Sequence, residues 1–245
     1  MSKPIFTLLL LLVFSCSLSA QKLLEAIEAK NYEAAEQYIK DGEKVNKPNK
    51  QGQFPLWAAV WNQDTKMVEL LLKNGADAKQ KFKGKAGRFG CLEIAAQEGL
   101  LEIAKLLVEA GADPNEGDLH GQTPLRIAAR NGRIELIKYF ISKGCEVDTK
   151  GDDGATPLEA AASKGHLDIV KLLLENGANI NHQDNDKDSP LGEAAKHGFI
   201  DVVDFLLSKG ADTSLKNKDG HTPEALARIS GQAKVEELLK QKAKG

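Results

Sequence analysis

Glycine recurs at fixed intervals along the chain. Gly42, Gly75, Gly111, Gly144, Gly177 and Gly210 stand 33, 36, 33, 33 and 33 residues apart, and Gly99, Gly132, Gly165, Gly198 and Gly231 step by 33 throughout. A period of this length means that one small supersecondary unit is copied again and again. Such a unit cannot bury its own apolar face, so consecutive copies must stack on one another.

The content of one period follows from its residues. Thr123, Thr156 and Thr222 each precede a proline, at Pro124, Pro157 and Pro223. Threonine can cap a helix N-terminus, and proline in the first helical turn forfeits no hydrogen bond. Leu125, Ala128 and Ala129 then fall at i, i+3 and i+4 and form one apolar stripe, with alanines that let a neighbouring helix come close. Gly132 ends that helix, Ile134, Leu136, Ile137, Phe140 and Ile141 build a second, and Gly144 ends the second in turn.

Two stretches carry a family resemblance over nearly their whole length: "GQTPLRIAARNGRIELIKYFISKGCEVD" from Gly121 and "GATPLEAAASKGHLDIVKLLLENGANIN" from Gly154. They resemble ankyrin repeats. Weaker copies begin at Gly52, Phe89, Asp188 and Gly220, and the copy from Leu23 lacks the Thr-Pro start and reads as an N-terminal cap. The resemblance implies an all-α ankyrin solenoid of about seven helix-turn-helix repeats with β-hairpin loops, capped at both ends, with repeats near 21–48, 49–81, 82–117, 118–150, 151–183, 184–216 and 217–245. In the last copy Glu224 and Arg228 replace the Leu and Ala of inner repeats, as a solubilising cap requires.

Both tryptophans of the chain lie in "PLWAAVW", at Trp57 and Trp61. At helical spacing the two indoles share one side. With Leu56, Ala59 and Val60 marking the buried stripe, that side turns outward. The resemblance implies that this flank and the neighbouring hairpin tips form a concave partner-binding surface. The same two positions along the stack are Glu93 and Gln97, Arg126 and Arg130, Glu159 and Ser163, Gly192 and Lys196, and Ala225 and Ile229. Hairpin tips add Phe89, Leu119, His120 and His221. Exposed aromatic and arginine side chains are the types enriched at interface hot spots, so Trp57, Trp61, Phe89, Leu119, His120, Arg126 and Arg130 are the expected contacts. The competing reading makes the tryptophans a cover for the weak first repeat.

The 36-residue step contains "AKQKFKGKAGRFG", three residues longer than its siblings, with Lys79, Lys81, Lys83, Lys85 and Arg88 and no acid. Alternation with period two places the lysines on one side of an extended basic finger, suited to an acidic partner or to solvent. No Gly-Lys-Ser/Thr follows its glycines, so it is not a phosphate loop.

The first residues, "MSKPIFTLLLLLVFSCSLSA", combine an early cation, a short apolar run and small residues, the pattern of a removable export signal over 1–20. "VFSC" offers a second reading in which Cys16 is lipidated and anchors a lipoprotein. Beyond it, Cys91 and Cys145 are too few and too distant in sequence to indicate a disulfide framework, and no Asn-x-Ser/Thr site occurs. A formal charge of −2 gives no bulk attraction to nucleic acid.

Catalytic and metal patterns are defective. "DNDKDS" from Asp184 alternates acids as a calcium loop does, but Ser189 stands where glycine is required and Ala195 where glutamate is. The five histidines lack metal-ligand spacing, and His166 in "GHLDIV" is structural in the family it resembles. No nucleophile elbow or zinc-protease helix occurs, and no cofactor is implied. The expectation is a non-catalytic protein-binding module, monomeric by itself, exported to the periplasm and without a membrane span. By resemblance to bacterial envelope ankyrin proteins, its partner would be an oxidative-stress enzyme such as a periplasmic catalase. The alternative is a hydrolase with a site on Glu93, His120 or Asp188.

Overall fold

The computed structural model describes residues 21–84 and 87–242, with the side chains of 83–88 outside the description. Helices come in pairs. α1 covers 21–28, and it is followed by α2 (Tyr32–Lys40), α3 (Pro55–Trp61) and α4 (Thr65–Lys73). A two-stranded antiparallel hairpin, β1 (Lys81–Gly84) and β2 (Gly87–Gly90), leads into α5 (Cys91–Glu98) and α6 (Leu101–Glu109). Then come α7 (Pro124–Arg130) with α8 (Ile134–Ser142), α9 (Pro157–Ala162) with α10 (Leu167–Glu175), α11 (Pro190–His197) with α12 (Ile200–Ser208), and α13 (Pro223–Ile229) with α14 (Ala233–Lys242). This is the all-α ankyrin architecture.

Two compact units divide the chain. One runs to Ala95 and also holds Leu100–Asp113, and the other holds Ala96–Gly99 and everything from Pro114. In the second unit, α7 packs on α9, α9 on α11 and α11 on α13, while α8, α10, α12 and α14 form a parallel row behind them. The interior is the stripe that the periodicity implies: Leu125, Ala128, Ala129, Leu136, Ile137 and Phe140 are buried. In the first unit Leu23, Ile27, Phe54, Leu56, Met67 and Leu71 do the same work.

Helix starts follow the Thr-Pro logic. The side chains of Thr123, Thr156, Ser189 and Thr222 accept from the amides of Arg126, Glu159, Gly192 and Ala225, with proline next in each case. Thr156 is fully buried, so its loss leaves an amide without a partner. Thr156→Ala is expected to lower stability by about 1–2 kcal/mol, seen as a lower urea midpoint at constant slope, and Thr156→Ser should recover most of it.

One glycine shows why the period is enforced. Gly165 has φ +74°, and a Cβ there would lie 2.4 Å from Cδ1 of Phe199, one repeat further along. Both the left-handed backbone and the close approach require glycine.

The loops depart in part from expectation. Among the described residues, only β1 and β2 form a strand ladder; the other loop tips are turns. In the second unit successive tips are nonetheless joined by backbone bonds, from Asp152 N–H to His120 C=O, Asn185 N–H to Asp153 C=O, and Lys218 N–H to Asp186 C=O, at 2.9, 2.9 and 2.8 Å. The extra residues of the long step are what allow a true ladder to close.

Candidate functional site

Two surfaces, one in each unit, gather the sequence's candidate residues. In the first unit the indoles of Trp57 and Trp61 stack, with centroids 5.3 Å apart and planes 13° from parallel. Trp57 also meets Phe82 of β1, at 4.8 Å between centroids. Trp57 is therefore the half-covered middle ring of three, and Trp61, 60% exposed, is the outer one. The sequence does not mark Phe82 as a partner of Trp57, because the stretch around it reads as basic. Its phase between Lys81 and Lys83 was the available signal, since alternate residues of a strand face opposite ways.

Phe89 is not at a hairpin tip. It lies in β2, directly across from Phe82, with Lys83–Arg88 and Gly84–Gly87 paired beyond it in the ladder. The basic finger also loses a member. Lys81 turns onto the buried carboxylate of Glu93, with Nζ and Oε1 3.6 Å apart. Gly90 makes room for this fold-back, since a Cβ there would lie 2.4 Å from Oε2 of Glu93. Lys79 is exposed. Lys85 lies outside the described residues, as do Cys16 and the side chains of Lys83 and Arg88. Cys91 and Cys145 are both buried, and burial, reinforced by the Glu93 and Asp77 charges, pushes the Cys91 thiol far up.

In the second unit the arginine pair divides. Arg130 is exposed, but Arg126, expected to face outward beside it, is only 7% exposed. Its Nη2 donates to Oδ2 of Asp153 in the following repeat's turn, and its Nη1 lies over Gly151, where a Cβ would come within 2.0 Å. Burial raises the Asp153 carboxyl, but the Arg126 hydrogen bond, the Ala155 amide and the Arg126 charge together hold it below the usual carboxylate range. A freely exposed Arg126 hot spot is thus replaced by an anchored guanidinium. Leu119, 56% exposed, and His120 do stand out at a turn.

Arg126, Arg130 and Asp153 line one wall of an open groove of about 450 Å³, whose other residues include Glu159, Asp184, Asp188, Glu193 and Lys196. Glu159 is 3% exposed. Burial first, and then the charge of Asp184, raises its carboxyl to about 9, so it is neutral at physiological pH. Asp188 is also raised, by burial against an opposing hydrogen bond from Asn217. Lys196 bonds to Glu193 at 3.1 Å. Asp184 spends Oδ1 on the amides of Asp186 and Asp188, at 2.8 and 2.9 Å, which makes the alternating acids a turn.

The three residues of the hydrolase alternative have unlike surroundings. Glu93 is paired with Lys81, His120 is exposed with its carbonyl serving Asp152, and Asp188 belongs to the acidic groove. His166 is structural: its Nε2 meets the carbonyl of Arg130 at 3.1 Å.

Comparison with known proteins agrees with this architecture. The ankyrin-repeat family model, "Ankyrin repeats (3 copies)", matches residues 23–118, 92–184 and 178–245, and the chain belongs to the ankyrin repeat family. It is 31% identical over 96 residues to ankyrin repeat and SOCS box protein 3 of Homo sapiens, covering 39% of this chain and 18% of that one. It is 39% identical over 77 residues to the B-cell lymphoma 3 protein homolog of Mus musculus, covering 31% and 16%. It is 35% identical over 104 residues to zygote-specific protein 3 of Chlamydomonas reinhardtii, covering 42% and 27%. The chain thus spans between 16% and 27% of the length of these relatives. Ankyrin repeats are protein-interaction modules, generally non-catalytic, and imply a protein partner. No helix among the described residues is long and apolar enough to cross a membrane.

Proposed function

We propose that the chain is an exported docking protein of the bacterial cell envelope, which binds and supports a partner protein through the ledge formed by Trp57, Trp61 and Phe82. One observation carries this reading: a large apolar ring, Trp61, is held out in solvent by stacking on a second ring that is itself braced by a third. Rigid aromatic surface of this kind loses little conformational entropy on binding. The partner class proposed is an oxidative-stress enzyme, a periplasmic catalase first among them. Export rests on the residues of 1–20, with anchoring through a lipidated Cys16 as its variant form.

Chemical crosslinking in intact cells, followed by capture of the chain and mass analysis, tests both parts. The expected result is one dominant crosslinked protein from the envelope fraction and a chain whose N-terminus falls between Cys16 and Gln21. An intact Met1 chain in the cytosol overturns export. Recovery of the chain without any crosslinked protein overturns docking.

A further inference from the structure

We infer that Lys81 and Glu93 are positioning residues for the aromatic ledge: their ion pair fixes the face that β1 turns toward α3, and so holds Phe82 against Trp57. The inference rests on the docking reading above for what the ledge serves, and adds what sets its shape.

A two-stranded hairpin is marginal by itself, so β1 and β2 take their place from what they lean on. Neighbouring side chains of a strand face opposite ways. Phe82 uses one face of β1 to meet Trp57, and Lys81 uses the other to meet Glu93 in the first turn of α5. Gln80, one residue earlier, fixes where the strand begins, its Nε2 donating to the Asn46 carbonyl at 3.0 Å. That bond leaves the strand free to rotate about its own axis. The contact of Lys81 with Glu93, on the face away from Trp57, sets the rotation.

The ladder register points the same way. Lys81 is paired with Gly90, so a side chain at position 90 would stand beside Lys81 on the same face. The carboxylate of Glu93 occupies that place, and a Cβ on Gly90 would overlap its Oε2. Gly90 does not have the left-handed backbone of the repeat glycines, so it is the carboxylate that requires glycine there. A register slip of one residue would turn Phe82 away from Trp57 and take Lys81 off Glu93 together, so the pair favours the one register that builds the ledge. The side chains of Lys81 and Glu93 are 13% and 5% exposed, too covered to be partner contacts themselves. A buried ion pair adds little net stability over apolar side chains of similar volume, so its contribution here is arrangement.

Acrylamide quenching of tryptophan fluorescence tests this, in a Trp61→Phe background where Trp57 is the only indole. Phe82→Ala gives the quenching of Trp57 with its brace removed. Glu93→Gln and Lys81→Met each take away one charge, and the two combined leave no buried charge without its partner, so the combined variant keeps the test valid where a single one fails to fold. The combined variant should raise quenching toward the Phe82→Ala value while its far-UV circular dichroism stays that of the parent. Added to Phe82→Ala, the same two changes should raise it no further, because the pair acts through Phe82. Unchanged quenching in the combined variant overturns the inference and leaves the pair a matter of stability alone. An equal rise with and without Phe82 overturns it as well. Neither measurement needs a partner, so docking through the ledge is decided separately by the crosslinking experiment.

Discussion

Glu159→Gln is expected to stabilise the protein at pH 7.5 and to change little below pH 4. In the folded chain burial, followed by the Asp184 charge, holds this carboxyl at about 9, against an ordinary value of 4.5. Below the ordinary value both folded and unfolded chains carry the proton, and the group has no effect on stability. Between the two values the unfolded chain has released it and the folded chain has not, so stability falls as pH rises, by about 1.4 kcal/mol per pH unit for one group. Above the folded value the loss is complete. By pH 7.5 the cumulative cost is on the order of 4 kcal/mol, and glutamine, which never ionises, escapes it.

Other charged groups share the groove. Asp188 is raised and reinforces the trend, Asp153 is lowered and opposes it, and Glu193, Lys196, His197, Arg126 and Arg130 share the same space. Comparing the two chains at each pH removes the contributions of groups that do not interact with Glu159, leaving its own carboxyl and its coupling to Asp184 and Glu193. Urea unfolding at pH 5, 6, 7 and 8 checks the prediction. The wild-type free energy should fall away from that of the variant as pH rises, and parallel curves would mean that Glu159 is ionised in the folded state.

Glu159 also illustrates what a sequence can and cannot disclose. The glycine period, the Thr-Pro starts and the apolar stripes are local patterns, and the helices and their caps follow from them. Whether a residue on the first helix of a repeat faces solvent depends on the neighbouring repeat. Trp57, Arg126 and Glu159 occupy equivalent positions, yet Trp57 leans on Phe82, Arg126 is drawn down by Asp153, and Glu159 is covered beside Asp184. Arg126 and Asp153 stand 27 residues apart, beyond the reach of any helical or strand periodicity. The basic finger differs at Lys81 for a related reason: spacing places its lysines on one side but cannot show that Glu93 takes one of them. Phe82 is hidden in the sequence by the cations on either side of it, which dominate the character of the segment.

The second large effect concerns binding. Replacing Trp57 and Trp61 together by alanine should leave folding nearly intact, because Trp61 is mostly in solvent and the buried residues of α3 are Pro55, Leu56, Ala58, Ala59 and Val60. Trp57, packed on Phe82, will account for most of whatever stability is lost, within the ordinary range of about 0.5–3 kcal/mol for a substitution. Binding should suffer more, by about 2 kcal/mol or above, which is roughly thirtyfold in affinity for the crosslinked partner.

The most direct test of docking through the aromatic ledge is the affinity of the purified partner for the wild-type chain and for the Trp57→Ala, Trp61→Ala double variant, measured at a temperature where thermal unfolding shows both chains to be folded. The ledge predicts an affinity loss of about thirtyfold or more with the melting curve only slightly displaced. Unchanged affinity alongside a large fall in melting temperature would contradict it, and would make the tryptophans a cover for the first repeat.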